Sequence, residues 1–335
     1  MNNNLIALDE RVGEDVSQVS SFDDLMTTTG FDFETELVRP HSPEGEEIDQ
    51  KWIIRRTDNN RVLGFVGDRY TPVGNEQMLQ PFHRLVETYG ARYENAGIIG
   101  GGKRCWISAV LPDTFKLKNR PDDQIQQRVM ALFSHDGTRR NAFFSIAHRI
   151  FCNNQINVIN KAANNSNYSV RHVKNWEDQL IDAQLGFENA LALHKEFEYT
   201  ANKLDSMPMT QDQMRGFTME ALPENKWLAK NRKNPEEARK TNRLNNRREQ
   251  LVDLFINGAG NTGTTRWDAL NAVTEYIDHH NQIKKLDHKK RGRVNAENRL
   301  VNGLLGGSGS RTKQLAVDLL LETKKFKSVK EFAVA

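Results

Sequence analysis

Gln127-Arg-Val-Met-Ala-Leu-Phe-Ser134, followed by His135-Asp-Gly-Thr-Arg-Arg140 and Asn141-Ala-Phe-Phe-Ser-Ile-Ala147, is the stretch that decides the fold. Two apolar runs flank Asp136-Gly137, which favours a tight turn because glycine accepts a positive φ angle. The stretch therefore predicts two antiparallel strands joined by a hairpin. Because successive strand residues point to opposite faces, Phe143 and Phe144 should lie on different sides of the sheet.

The residues before this hairpin repeat the pattern twice. Strands are predicted at 51–57 and 61–66, around Asp58-Asn-Asn60, and at 92–99 and 103–111, around Gly100-Gly-Gly102. Between the two pairs, apolar side chains recur at helical spacing from Asn75 to Tyr89, and Gly90 is a typical helix terminator. The order β-β-α-β-β-β-β predicts an α+β fold, an antiparallel sheet with a packed helix. Trp106 is expected to pack the sheet against that helix.

The remaining chain, residues 153–335, is predicted to be a mainly α-helical region. Between 176 and 204 the apolar positions advance by alternating steps of four and three, which is the spacing of a heptad seam. We expect one helix here, buried against other helices or against a second copy in a homo-oligomer. The seam consists of Trp176, Leu180, Ala183, Phe187, Ala190, His194, Phe197, Ala201 and Leu204.

Charge divides the chain unevenly. Residues 1–50 contain 13 acidic and 2 basic residues, whereas residues 51–335 contain 31 acidic and 45 basic residues. The first segment is predicted to be an acidic, unstructured leader. An α+β domain at 51–152 and the helical region 153–335 follow it. A basic body favours a polyanionic partner such as nucleic acid.

Composition also excludes several classes of protein. The chain of 335 residues has no apolar run long enough to cross a membrane, and its first residues lack the pattern of a signal peptide. Two cysteines, Cys105 and Cys152, cannot build a disulfide framework. We therefore expect a cytoplasmic protein without membrane contact. The glycines before Lys103 do not follow the phosphate-loop pattern, so no cofactor is expected.

Several motifs, in this order, resemble one family. They are Leu63-Gly-Phe-Val-Gly67, Tyr70-Thr-Pro-Val-Gly-Asn75, Tyr93-Glu-Asn-Ala-Gly97, His135-Asp-Gly137, Arg149-Ile-Phe-Cys-Asn-Asn154 and Asn271-Ala-Val-Thr-Glu-Tyr-Ile-Asp-His279. Over residues 50–282 the chain resembles the phage- and plasmid-borne "domain of unknown function 932" proteins. The family pattern after the cysteine is similar to Asn-Thr-Leu, whereas this chain has Asn154-Gln-Ile156. The resemblance implies a mobile-element origin in a bacterial host cell and no established activity.

Basic and aromatic residues at the hairpins are the candidate binding residues. Arginine and lysine at turn positions reach phosphates while the sheet holds them in place, and nearby rings stack on unpaired bases. The predicted nucleic-acid-binding residues are Arg55, Arg56, Arg69, Tyr70, Tyr93, Lys103, Arg104, Arg139 and Arg140. Two basic clusters in the helical region, at 226–248 and 284–299, are further candidates, although solvated helix surfaces explain them equally well.

Two groups of residues keep an enzymatic alternative open. Glu275, Asp278 and His279 have the i, i+3, i+4 spacing with which one face of an α-helix can bind a metal. Cys152 and His148 are close in the chain, as a nucleophile and its base would be, but the apolar context of the cysteine favours burial.

The sequence favours a DNA-binding protein of recombination or replication that binds or anneals single-stranded DNA. The alternatives are a metal-dependent nuclease and an anti-defence protein whose acidic leader imitates DNA against a host partner. Annealing needs a positive surface rather than catalytic residues, so no catalytic residue is assigned. A nuclease would instead use Glu275, Asp278 and His279, or other carboxylates that no motif in the sequence marks.

Overall fold

The structure is a computed structural model. It describes residues 6–19, 21–150, 152–158, 169–191, 193–224, 230, 233–281, 291–322 and 326. No helix among these residues is long and apolar enough to span a membrane.

A large antiparallel sheet forms the centre of the fold, with strands in the order β1-β5-β6-β7-β8-β10 and with β9 also paired to β8. Its strands are β1 (Glu14–Asp15), β5 (Arg92–Ile99), β6 (Arg104–Leu117), β7 (Arg120–Ser134), β8 (Asn141–Arg149), β9 (Asn154–Asn157) and β10 (Ser169–Val170). The two predicted hairpins, β5–β6 and β7–β8, are confirmed and lie side by side through the β6–β7 pairing. The sheet continues beyond residue 152 through β9 and β10.

The first predicted hairpin belongs to a separate sheet. Strands β2 (Thr35–Val38), β3 (Trp52–Arg56) and β4 (Val62–Val66) form a three-stranded antiparallel sheet in the order β2-β3-β4. Ile54, Leu63 and Val66 make a small core on its inner face. This sheet approaches the large sheet closely at Gly64. A Cβ atom added there would lie 2.3 Å from the carbonyl oxygen of Asp136.

Helices cover both faces of the large sheet and make up most of the chain after β10. They are α1 (Phe22–Thr29), α2 (Asn75–Thr88), α3 (Trp176–Leu191), α4 (Leu193–Ser206), α5 (Gln211–Ala221), α6 (Pro235–Asn257), α7 (Arg266–Glu275), a π-helical turn (Tyr276–His280), α8 (Arg291–Gly303) and α9 (Ser308–Leu321). The α+β class with a mainly helical second half is thus confirmed.

The two faces of the large sheet contribute to different cores. Phe143 packs with Phe82 of α2 on one face, and Phe144 packs with Leu300 of α8 on the other. The prediction of opposite faces is correct, and both rings are buried. The prediction for Trp106 is wrong, because its side chain lies in the cluster of Leu300, on the face away from α2. The reason is alternation: Cys105 points towards α2, so its neighbour must point away.

The predicted unstructured leader is the main correction to the fold. Leu8, Leu25 and Phe31 are fully buried, and α1 and β2 both lie within residues 21–50. Helix α1 is capped at both ends, by the side chain of Ser21, which accepts from the backbone of Asp24, and by Gly30 at φ 65°. High net charge suggested disorder, but spaced apolar residues supply enough burial, about 1.5–3 kcal/mol each, to order the segment.

The heptad seam packs inside the chain. Leu180 and Ala183 of α3 join the core beneath α2, whereas Phe197, Ala201 and Leu204 of α4 join the core of the helical half. Helical residues run from Trp176 to Leu191 as α3 and from Leu193 to Ser206 as α4, which covers the predicted range on both sides of residue 192. Residue 192 and the side chains of Phe187 and Ala190 lie outside the described residues. The described seam residues are therefore buried within the chain, except Trp176, which is partly buried against the core of α2.

Candidate nucleic-acid interface

Two hairpin turns lie together at one end of the large sheet. Arg104, the first residue of β6, is paired with Ser134, the last residue of β7. The turn at 100–103 therefore lies beside the turn at 135–140, and the backbone N–H of His135 donates to the carbonyl of Lys103 at 2.9 Å. We call these two turns the hairpin tips. The two hairpin tips therefore meet at one end of the sheet.

Asp136 holds the second tip rigid. Its Oδ1 accepts hydrogen bonds from Ser134 Oγ at 3.1 Å and from the backbone N–H of Thr138 at 2.9 Å, and Gly137 completes the turn at φ 74°. Arg104 Nη2 donates to Asp136 Oδ2 at 3.1 Å. Burial alone would raise the pKa of Asp136, but the hydrogen bonds from Thr138 and the charge of Arg104 lower it. The carboxylate thus stays charged and fixes the residues that follow it.

Positive charge accumulates around this rigid turn. Partial burial lowers the pKa of Arg139, and the charges of Arg104 and Arg311 lower it further. Burial likewise lowers the pKa of Arg140, with the charge of Arg171 adding to the effect. Arg104 and Arg311 therefore lie near Arg139, Arg171 lies near Arg140, and Arg139 and Arg140 are neighbours in the same turn.

The four predicted tip residues differ in how freely they can meet a ligand. Lys103 and Arg140 are exposed, and Arg140 Nη1 lies 3.5 Å from Ser169 Oγ. Arg104 forms an ion pair with Asp136. Arg139 Nη1 donates a hydrogen bond at 2.7 Å to the carbonyl of Leu305, which lies in the loop between α8 and α9. The exposed pair can therefore bind a ligand directly, while the other two chiefly contribute charge.

Sequence reasoning missed three arginines at the tips. Arg171 follows β10 and Arg311 lies in α9, so folding brings both from distant parts of the chain. Arg61 packs against the first tip, since a Cβ atom added at Gly101 would lie 2.2 Å from its Cζ. No local motif marks these residues, and the only available signal was the basic excess of the whole body.

The arginines predicted on the small sheet are mostly paired. Arg55 Nε lies 2.7 Å from Glu36 Oε1, and Arg56 Nη2 lies 2.6 Å from Asp58 Oδ2. Arg56 also stacks over the ring of Phe33, 3.9 Å from its centre. Arg69, by contrast, is exposed in the turn after β4. Arg55 and Arg56 therefore contribute less free positive charge than the sequence suggested.

The two predicted stacking tyrosines have partners inside the protein. Tyr93 is only 8% exposed, and its hydroxyl lies 2.8 Å from His83 Nδ1. The ring of Tyr70 stacks on the ring of His172 at 4.6 Å, which covers one of its two faces. Burial raises the pKa of both tyrosines. The prediction that Tyr93 stacks on a base is wrong, because its strand position faces the core below α2.

The alternative metal ligands do not converge. Glu275 Oε2 accepts from the backbone N–H of Ala259 at 3.0 Å, Asp278 is paired with Lys313, and His279 Nε2 lies 3.1 Å from Asn154 Oδ1. The predicted spacing assumed an α-helix, but Tyr276–His280 is a π-helical turn, which rotates the later residues away from Glu275. Among the described residues, no three His, Cys, Asp or Glu side chains could hold a metal ion.

The cysteine considered as a nucleophile is buried. Cys152 is 2% exposed, and its Sγ lies 3.7 Å from Arg149 Nη1. Burial raises the pKa of its thiol to about 11, so the reactive thiolate is disfavoured. His148 Nε2 lies 2.8 Å from Asn153 Oδ1. The pair is therefore part of the interior.

The second basic surface lies on α6, where Arg239, Arg243 and Arg247 are exposed one turn apart. Parts of the predicted clusters 226–248 and 284–299 fall outside the described residues. This α6 surface has no counterpart of the rigid turn at Asp136, so it ranks below the hairpin tips.

Comparison with known proteins identifies one family. No curated protein and no solved structure matches the chain significantly. A family model described as "Domain of unknown function (DUF932)" matches residues 62–301, which include the hairpin tips, α2 and most of the helical half. Since the match covers well over half of the chain, the protein belongs to the DUF932 family.

Proposed function

We propose that this protein binds single-stranded DNA through the hairpin tips and acts in recombination or replication by holding or annealing strands. The observation that carries the proposal is the gathering of arginines from four segments around one rigid turn. The charges of Arg104 and Arg311 lower the pKa of Arg139, the charge of Arg171 lowers that of Arg140, and Asp136 is paired with Arg104. A phosphate backbone relieves the mutual repulsion of these arginines.

Annealing is consistent with this arrangement. It requires a surface that holds the backbone without enclosing the bases, and the tips present their charges at an exposed end of the sheet. The phage or plasmid origin and the bacterial cytoplasm implied by the family resemblance are part of the same proposal. If an oligomer forms, it must use a surface other than the described seam residues.

The rival functions lose their supporting residues. The nuclease hypothesis relied on Glu275, Asp278 and His279. These three side chains contact different residues, Ala259, Lys313 and Asn154 in that order. The anti-defence hypothesis relied on the acidic leader as an imitation of DNA, and no observation favours that role; the leader is folded against the body through Leu8 and Phe31.

The test measures DNA affinity as salt is varied. The variant combines Lys103→Gln, Arg140→Gln and Arg171→Gln, three exposed residues whose loss should leave the fold intact. For a single strand the log–log salt slope changes by about 0.7 per phosphate contact, so the slope should flatten by about 2. Fluorescence anisotropy with a labelled oligonucleotide measures both quantities.

A charge-matched control combines Lys116→Gln, Lys118→Gln and Lys195→Gln. These exposed lysines lie towards the other end of β6, roughly 40 Å from the tips by strand length. Wild-type affinity and slope in the tip variant would contradict the proposal. Cleavage of labelled DNA that depends on Mg²⁺ would favour a nuclease instead.

A further inference from the structure

The outward face of helix α3 carries carboxylates without a basic partner. The helix contains four acidic and no basic residues. Glu177, Asp178 and Asp182 are exposed, and none of them forms an ion pair with another described residue. Ile181, which is 57% exposed, lies among them. Because residues three and four apart share a helix face, Asp178, Ile181 and Asp182 form one outward surface, which we call the acidic ridge.

The outward face of helix α6 has the opposite charge. Residues 238–248 include five basic and no acidic residues. Arg239, Arg243 and Arg247 follow one another at one-turn spacing, are exposed and form no ion pair with another described residue. At a rise of about 1.5 Å per residue, these three arginines form a basic ridge about 12 Å long.

The two ridges belong to different parts of the chain. Behind the acidic ridge, Leu180 and Ala183 of α3 pack into the core beneath α2. Behind the basic ridge, Leu251 and Phe255 of α6 pack into the core of the helical half. In the part of the chain that the structure describes, no ion pair joins one ridge to the other. The charges of both ridges are therefore left for a partner outside their own chain.

A second copy of the chain offers the complementary surface for both ridges. Arginine binds a carboxylate through paired hydrogen bonds, and the one-turn spacing of Asp178 and Asp182 equals that of Arg239 and Arg243. The aliphatic parts of the arginines can cover Ile181. Exposed ion pairs alone contribute little, so this burial is needed for a stable contact. A nucleic acid fits the basic ridge but is repelled by the acidic one, whereas a second copy accounts for both.

We infer that copies of this protein associate by placing the acidic ridge of α3 in one copy against the basic ridge of α6 in the next. The two surfaces differ, so the contact is heterologous and builds a ring or a filament instead of a symmetric dimer. The inference is independent of the proposed function, because the contact requires no DNA. In such an assembly the hairpin tips are repeated at a regular interval.

Sedimentation velocity of the full-length protein without DNA tests the contact. The weight-average sedimentation coefficient should rise with protein concentration at low salt, and rise less at about 0.5 M salt, where the Debye length falls to about 4 Å. The variant Asp178→Arg with Asp182→Arg reverses the acidic ridge, and Arg239→Glu with Arg243→Glu reverses the basic ridge. Each variant alone should lose the dependence on concentration, because its two ridges then carry the same sign of charge.

Mixing the two ridge variants is the decisive measurement. One variant has two basic ridges and the other has two acidic ridges, so association should return only in the mixture. The control combines Glu44→Arg and Glu46→Arg, which make the same change in charge at two exposed positions outside the helices. This control should associate as the wild type does.

Several results would overturn the inference. They are a wild type whose sedimentation coefficient does not depend on concentration, a loss of association in the control, association that only one ridge variant loses, and a mixture that stays monomeric although both variants melt as the wild type does. If a reversal variant does not fold, Asp178→Asn with Asp182→Asn takes its place and should raise the protein concentration at which association begins. An α6 variant that loses DNA affinity but still self-associates would assign the basic ridge to nucleic acid and leave the proposed function standing.

Discussion

Lys313 Nζ lies 2.5 Å from Asp278 Oδ1, and both side chains are fully buried. The same ammonium donates to the carbonyl of Gln155, and Asp278 Oδ2 accepts from the backbone N–H of Gln155. A single ion pair thus joins α9 and the π-helical turn to strand β9. Because this ion pair occupies the carboxylate of Asp278, the carboxylate is unavailable to a metal ion.

Removing the lysine should strongly destabilise the protein. Lys313→Met would leave the Asp278 carboxylate buried without its counter-ion, which costs about 3–5 kcal/mol. Adding Asp278→Asn removes the uncompensated charge and should recover much of that loss. Urea unfolding of the two variants measures the difference, and equal stability of single and double variants would show that the charge does not matter.

The N-terminal segment should be necessary for folding. A chain beginning at Asp49 lacks Leu8, Leu25 and Phe31, as well as Asp9, whose Oδ2 lies 3.0 Å from Arg128 Nη1. We expect this truncated chain to melt well below the full-length protein, or not to fold, as measured by circular dichroism. The exposed Glu46→Ala is the control, with an unchanged melting temperature expected. A truncated chain with wild-type melting would mean that the segment is dispensable.

Glu94 should make stability depend on pH. Burial raises the pKa of its carboxyl to about 7, with the charges of Asp9 and Glu10 adding to the effect and Arg128 opposing it. Because the folded pKa exceeds the unfolded one, the glutamate costs stability progressively as pH rises from about 4.5 to about 7. Glu94→Gln removes this pH dependence together with the ion pair to Arg128, which lies 2.7 Å from Glu94 Oε2, so the stability of the variant relative to the wild type should rise across that window.

Urea midpoints at pH 5 and pH 8 test this prediction. The control is Glu14→Gln on β1, an exposed glutamate whose replacement should shift the midpoint equally at both pH values. A Glu94→Gln variant with a pH-independent effect would show that the carboxyl titrates normally.

Gly64 should be required for the contact between the two sheets. In Gly64→Ala, the new Cβ would lie 2.3 Å from the carbonyl oxygen of Asp136, so the small sheet must move away from the hairpin tip. We expect a melting temperature several degrees lower, because overpacking typically costs about 1–3 kcal/mol. Gly67→Ala, where no atom lies within 4 Å of the new Cβ, should have little effect. Equal melting temperatures of both variants would contradict a tight contact.

Much of the fold was predictable because its signals are local. The two hairpin turns, helix α2 and helix α6 lie where turn residues, caps and periodicity place them, and α6 follows its cap Asn234 and ends before Gly258. Strands β6 and β7 extend beyond their predicted ends, because they pair with each other as far as Leu117 and Arg120. Helix α1 was also predictable from the sequence, since Ser21, Asp24 and Gly30 are its capping residues. The acidic excess of residues 1–50 is typical of disorder and masks these capping signals. Edge strands β1, β9 and β10 are two to four residues long, too short to show a periodicity.

The candidate site was only partly predictable. Lys103, Arg104, Arg139 and Arg140 flank glycine-containing turns, so their place at the tips followed from the hairpins. Tyr93 stood in a predicted strand, but which face of the sheet it occupies depends on the packing of α2 and on the register shift between Tyr93 and Ala96, which has no sequence signature.

The sequence by itself determined the strands, the turns and the pairing of neighbouring hairpins, because hydrogen bonds and turn conformations between adjacent segments depend on local residues. Only the tertiary structure decided which charges meet. Arg171 and Arg311 reach Arg140 and Arg139 through long-range packing, and Asp278 turns from a candidate metal ligand into the partner of Lys313. Electrostatic interactions depend on distance in space, and between residues on separate elements of the chain that distance is set by the packing of the whole chain.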